Sequence, residues 1–456
     1  MKLFQDIKNN KAIYKNIWIV TFPIILQNIL DAAVNSVDVL MLNSVGQSAI
    51  SAVSLANSLV GIFFMFLYGI GTGIAMLAAQ YYGKGDYKTI EIVEGIGLKF
   101  SLAIAALGML ACLIIPGTLM HIYTSDAELI GLGEKYLMFI APGLIFWAVS
   151  AVYTSILRCI GKVSTSTILE AVALISNVIL NAIFIFGLLG APKLGVVGVA
   201  LATTLSRLIQ LIGCVIASMG DAKVKLTFRT MFERHKLLEK DFFTMALPAI
   251  ANDMVWALAF SAYSGILGHM DSDAVAAYSI VNVIRNLGCV MCYGIGAAAG
   301  IIVGQVLGRG NREEGIKTAH ILLRLAVITG IIGGLIVLAI IPFALKKASL
   351  TDTALDYLKF MLLINTYYIS GTSVNTCLIG GIFRAGGDSK FGFKCDTIDM
   401  WCYAVPLGLI SAFVLKLPVK VVYFLLCTDE FVKWPWVLKH FYSHKWANDI
   451  TRDEVD

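Results

Sequence analysis

Charge is what this chain has least of. Only 14% of its 456 residues are Asp, Glu, Lys or Arg, against about 25% in a typical soluble domain. A soluble fold of this length could not clothe its core with so few polar side chains. Proline is scarce, at nine residues, and the 41 glycines follow no period, which excludes collagen-like and low-complexity chains. A chain that is 58% hydrophobic is not disordered either. Catalytic motifs are missing. There is no H-E-x-x-H, no G-x-S-x-G and no clustered His/Asp pair, and the six histidines fall mostly at ends and in loops, so an intramembrane lipid-modifying enzyme or protease has nothing to stand on. No G-x-x-x-x-G-K-[ST] occurs, and no polar stretch is long enough for a nucleotide-binding domain. A repeated filter loop, the mark of a channel, is absent too. The nine cysteines make no framework. Only Cys289 and Cys292 are close, at i and i+3, and all nine read as small buried hydrophobes.

What remains is apolar length. Mean hydropathy is +0.81. Segments of about 20 residues or more, enough to cross a bilayer, recur at 16–43, 48–80, 91–117, 132–157, 166–189, 194–218, 242–268, 273–306, 316–343, 354–383, 392–414 and 418–440. Gly and Pro punctuate their ends. The first follows Lys2, Lys8, Lys11 and Lys15. It is too long for a signal peptide and carries Asp31 and Asp38, so it reads as an uncleaved transmembrane helix. Twelve spans leave only short loops. With the N-terminus in the cytoplasm, cytoplasmic segments hold 24 Lys or Arg and external loops five. That bias predicts a multi-pass protein of the plasma or inner membrane with both termini inside. Its partners are then the bilayer and a small-molecule substrate, with no nucleic acid and no second subunit.

The chain repeats itself. Shifting it by 225 residues aligns 23–85 with 248–310 at sixteen identities in 63 positions, among them Pro23/Pro248, Asn57/Asn282, Gly71/Gly296, Gln80/Gln305 and Gly85/Gly310. Four or five would arise by chance from average composition. Arg158-x-x-Gly161 answers Arg384-x-x-Gly387. Each half holds six helices, an even number, so both enter from the same side as parallel repeats. The expected organisation is an amino-terminal lobe over 1–218, a basic linker over 219–241 and a carboxy-terminal lobe over 242–456. An all-α membrane protein with two such lobes has the architecture of a secondary transporter.

Ionisable residues inside the spans cost roughly 2.5–3.5 kcal/mol each, so they mark cavities or partners. Asp31, Asn35 and Asp38 share one face of the first helix, and Asn177 and Asn181 share one face of the fifth. Two carboxylates and several amide oxygens suit Na⁺ or a carried proton, while the amides by themselves could simply bridge helices. Arg207 and Arg285 fall near mid-membrane, placed to pair with carboxylates or to bind an anionic part of a substrate. Asp253, Met254 and Trp256 combine one negative charge with a broad apolar surface. They would suit an amphipathic cation, or would serve only in packing. Asp396 and Asp399 add two more carboxylates in the eleventh span, and Glu170 lies nearer the end of the fifth.

Several motifs together resemble the multidrug and toxic compound extrusion (MATE) family. They are Pro23 followed by Val37-Asp38 and Ala49-x-x-Ala52; Ala276-Ala277-Tyr278 with Gly294-x-Gly296 and Val303-Gly304-Gln305-x-x-Gly308; Arg158-x-x-Gly161; Arg384-x-Gly386-Gly387-Asp388; and Lys445-Trp446. The resemblance covers almost the whole chain. It implies a V-shaped pair of six-helix lobes and an exporter that exchanges inward Na⁺ or H⁺ for outward drugs, often organic cations, with no other cofactor. By the resemblance, Asp38 falls on the first-helix cation-site aspartate. Asn177-x-x-Leu180-Asn181 matches a fifth-helix N-x-x-L-D pattern, with Asn where Asp is common, and Thr203 or Thr204 matches a threonine of that site. The NorM-like branch places Glu and Asp where this chain has Trp256 and Ser373, so a DinF-like arrangement is expected, with Asp396 and Asp399 as the alternative carboxylates of the second lobe. A lipid-linked oligosaccharide or precursor flippase of the same superfamily is the rival reading. It would want a basic cavity, whereas the ionisable residues singled out above, Glu170 left aside, are five acidic (Asp31, Asp38, Asp253, Asp396, Asp399) and two basic (Arg207, Arg285).

Overall fold

The computed structural model describes residues 10–43, 45–220, 223–348 and 350–453, and the side chains of residues 35, 36, 38–40 and 43 lie outside that description. No strand occurs among the described residues. The helices are α1 (Lys11–Asn43), α2 (Gln47–Lys84), α3 (Tyr87–Ile114), α4 (Ala127–Cys159), α5 (Val163–Phe186), α6 (Val196–Met219), α7 (Lys236–Met270), α8 (Ser272–Gly308), α9 (Arg312–Lys347) and α10 (Asp352–Asn375), with a one-turn helix at Pro116–His121. α10 runs on through π-helical turns at Thr376–Phe383, and α11 (Ser389–Val414) alternates α- and π-helical turns. The twelfth expected span is broken into α12 (Val419–Leu426), α13 (Asp429–Val432) and α14 (Trp434–Tyr442).

The internal repeat is visible in the way helices start and stop. Gly85 and Gly310, 225 positions apart, both follow a long helix with positive φ, at 84° and 76°, a backbone state glycine enters without steric cost. The next residues, Asp86 and Asn311, cap the helices that follow. Asp86 accepts from the Thr89 amide at 3.0 Å and Asn311 from the Glu314 amide at 3.1 Å. Asp126 and Thr351, again 225 apart, cap α4 and α10. Gly161 and Gly387 turn at φ 80° and 77°. The correspondence fails at the last helix of each half. α6 is continuous, whereas Pro435 sits in the first turn of α14 and cannot continue a helix from α13.

Ten of the described helices are long and apolar enough to cross a membrane. The expected tenth and twelfth spans are not among those ten. α10 carries Asp352, Asp356 and Lys359 and a polar run from Asn365 to Asn375. The twelfth is divided and carries Asp429, Glu430 and Lys433. The helical order still matches twelve spans.

Two compact units form, and the boundary falls inside α1. One unit comprises Leu26–Phe243 with the end of the chain from Arg452; the other comprises the chain through Ile25 with Thr244–Thr451. In the first unit α4 packs against α2, α3 and α6, around a core that includes Leu59, Leu67, Tyr136, Ile140 and Leu144. In the second, α8 packs against α9 and α10, around Leu267, Tyr278, Val337, Met361 and Tyr368. Gly334 lets α9 meet the Thr366 carbonyl of α10 at backbone distance, the small-residue contact that apolar solvent favours.

The expected linker is seated rather than hanging free. Thr230 Oγ1 donates to the Glu91 carbonyl at 3.0 Å, and Tyr153 donates to the Val224 carbonyl at 3.5 Å. Gly95 has no room for a Cβ, because the Thr230 backbone lies 2.6 Å from where it would be. At the chain end, Arg452 ion-pairs with Asp241. The Lys84 ammonium, 2.7 Å from Asp453, holds that exposed carboxyl below its ordinary pKa.

Candidate functional site

In the first unit, α5 and α6 bring together three of the expected residues. Asn177 and Asn181 lie one turn apart on α5 and are both buried. The Asn181 amide donates to Asn177 Oδ1 at 3.3 Å, and the Asn177 amide donates to Thr203 Oγ1 at 3.3 Å. Thr203 in turn donates to the Val199 carbonyl at 3.0 Å. The neighbouring hydroxyl faces away: Thr204 donates to the Phe139 carbonyl of α4 at 2.8 Å. Helical spacing alone left the two threonines equivalent, and the packing of α4 on α6 separates them. Asp38 and Asn35 lie on α1, and their side chains lie outside the described residues.

A second polar group lies in the same unit. Arg207 donates to Gln210 Oε1 at 2.9 Å, stands 3.7 Å from Glu170 Oε2 and packs over the Trp147 ring at 5.9 Å. Asp31, half-buried on α1, is within electrostatic reach of Glu170, Arg207 and Arg158. The pairing of Arg207 with a carboxylate is therefore seen, through Glu170.

The second unit holds a larger network. Asp253 on α7 pairs with Arg384 Nη2 at 2.7 Å, and the same nitrogen donates to Asn252 Oδ1 at 3.1 Å. Asn252 donates onward to Asp396 Oδ2 at 2.7 Å. Lys433, wholly buried, stands 3.0 Å from Asp396 Oδ1, 3.4 Å from Asp399 Oδ2 and 3.3 Å from Glu430 Oε2. Its ammonium lies 5.8 Å above the Trp256 ring, which packs edge-on against Phe260. Arg285 stacks over Phe260 at 4.5 Å, and no carboxylate pairs with it among the described residues. Met254 on α7 is exposed. Asp253, Trp256, Asp396 and Asp399 thus join one network, while Arg285 reaches it only through an aromatic ring. The nine cysteines are free, and all but Cys402 are buried.

The family model MatE matches residues 23–183 and 248–410. The chain belongs to the MatE family. The duplicated match falls on the two halves defined by the repeat. Among curated relatives, the probable multidrug resistance protein YoeA of Bacillus subtilis is 24% identical over 90% of this chain and 90% of its own. The probable multidrug resistance protein NorM of Bradyrhizobium diazoefficiens is 25% identical over 86% of this chain and 85% of its own. Among solved structures, MATE in the bent conformation superposes with a TM-score of 0.84 at 20% identity, covering 95% of this chain and 96% of that one. This MatE-family chain is a multi-pass membrane transporter and not an enzyme.

The family match ends at residue 410, so Asp429, Glu430 and Lys433 lie beyond it. These are the residues that sequence reasoning passed over. Lys433 falls inside the expected span 418–440. The signal that would have found it is the insertion cost of three ionisable residues at i, i+1 and i+4 within an expected span. At Trp256 and Ser373 no carboxylate is supplied; Ser373 donates to the Ala326 carbonyl at 2.6 Å.

Proposed function

We propose that this MatE-family transporter is a secondary antiporter. It exports small cationic or amphipathic organic compounds, and an inward flow of Na⁺ or H⁺ drives the export. The names of its relatives, probable multidrug resistance proteins, support the substrate class. The observation that carries the coupling is the chain from buried Asn181 and Asn177 to half-buried Thr203. It gathers amide and hydroxyl oxygens at one place on α5 and α6, and hard cations take such oxygens as ligands. Asp38 of α1 would add the one negative charge, in a DinF-like arrangement confined to the amino-terminal lobe.

The residues offered to substrate in this reading are Asp31, Asn35 and Arg207 of the amino-terminal lobe, and Asp253, Met254, Trp256 and Arg285 of the carboxy-terminal lobe. The lobes are residues 1–218 and 242–456, joined by 219–241, and the chain works as a monomer in the cell membrane. The carboxylates Asp31 and Glu170 of one lobe, and Asp253 of the other, have more use for a cation than for the pyrophosphate of a lipid-linked precursor. In cells loaded with a fluorescent organic cation, wild type should lower accumulation. Asp38→Asn and Asn177→Ala should not, at equal amounts of protein in the membrane. Export by Asp38→Asn at the wild-type rate would contradict the assignment.

A further inference from the structure

The buried cluster in the second unit is not balanced in charge. Four carboxylates, Asp396, Asp399, Asp429 and Glu430, surround a single ammonium, Lys433, and all five residues are buried, with at most 2% of any of them exposed. A buried charge without a partner is expensive, so the state of each carboxyl depends on what it is given.

Three of the four are well supplied. Asp396 accepts from Lys433 and from Asn252. Glu430 accepts from the Asn375 amide at 2.6 Å and the Thr372 hydroxyl at 3.0 Å, with Lys433 beside it. Asp429 accepts from the Glu430 amide at 2.8 Å and from the hydroxyls of Tyr263 and Tyr368 at 3.1 and 3.3 Å. Asp399 is the exception. It is fully buried, and neither of its oxygens accepts a hydrogen bond. Its one charge contact among the described residues, Lys433 at 3.4 Å, is shared with Asp396 and Glu430. The other groups that face the cluster bring it no further cation. Arg384 of the segment after α10 is engaged by Asp253 and Asn252, and Arg285 of α8 lies over Phe260. The buried thiols of Cys395 on α11, Cys427 ahead of α13 and Cys292 on α8 bring no cation either.

We propose that the second unit contains a proton-binding site at Asp399, with Lys433 as a fixed counter-ion that keeps Asp396 and Glu430 ionised. A hydronium ion gives its proton to the Asp399 carboxylate, leaving water and the neutral acid. The site draws on residues beyond the family match, is separate from the Asn177 site of the first unit and does not depend on the antiport reading. The chain Asp253–Arg384–Asn252–Asp396 links it to a carboxylate whose side chain is one-third exposed.

The test uses purified full-length protein in liposomes and needs no substrate. Infrared difference spectra are taken across a pH titration of wild type, Asp399→Asn and Asp396→Asn, with thermal unfolding of each. Asparagine has the shape of the protonated acid. Asp399→Asn should therefore fold, keep the wild-type Tm and lose one band of a buried protonated carboxyl. Asp396→Asn should lower Tm and keep that band. If Asp399→Asn fails to fold, loses as much Tm as Asp396→Asn, or leaves the band intact, Asp399 is an ionised partner of Lys433 and the proposal is overturned.

Discussion

Thr203 and Thr204 are adjacent in sequence and point to different neighbours, and that difference sets a residue-scale expectation. Thr203→Val removes the acceptor for Asn177, whereas Thr204→Val removes only a bond to the Phe139 carbonyl. Coupled efflux should fall with the first and survive the second. The measure is initial transport rate at matched expression, and equal losses would remove Thr203 from the site. Asn181 offers a sharper change. Asn181→Asp adds a carboxylate to a site that we propose already contains Asp38. Neighbouring negative charges hold a proton more tightly, so release needs a higher pH and the optimum of transport should move upward. An unchanged profile would count against the grouping of Asp38 with Asn181. The amides were legible in the sequence because i, i+4 spacing fixes a face. The choice between threonines was not, because it depends on which helix packs against which side of α6.

At the scale of elements, helix ends were more legible than helix interiors. Caps and glycine turns recur at an offset of 225 because each is a local device of one or two residues. The twelfth span is present but divided into three short helices. Apolar length supports a helix, but Pro435 and the cluster at Asp429, Glu430 and Lys433 interrupt it, and the gain that holds those charges inside comes from α7, α10 and α11. Packing of α9 on α10 gives a stability prediction. A Cβ at Gly334 would overlap the Thr366 carbonyl, a backbone atom that cannot rotate away. Gly334→Ala should cost about 1–3 kcal/mol, seen as a lower Tm in detergent. Wild-type Tm in that variant would mean that α9 and α10 are not in backbone contact.

For the whole molecule, the charge bias predicts that the segment after α6 is cytoplasmic. Arg229 there is exposed and pairs only loosely with Glu233, at 3.5 Å. In a Cys402→Ser background, Arg229→Cys should be silent to an impermeant thiol reagent added to intact cells and should react once the membrane is opened. Labelling in intact cells would invert the topology. The two-fold repeat, the twelve helical segments and the membrane setting could all be foreseen from composition and periodicity. What could not be foreseen is the charge network of the second unit, which is assembled from helices far apart in sequence.

The central claim is that an inward cation drives an outward organic cation. Everted membrane vesicles test it most directly, with uptake of a fluorescent organic cation followed while a proton gradient and a Na⁺ gradient are imposed separately. The account predicts that one of the two gradients drives uptake above the level at equilibrium, and that Asp38→Asn abolishes that stimulation without changing the amount of protein. Uptake that ignores both gradients, or that persists undiminished in Asp38→Asn, would contradict it.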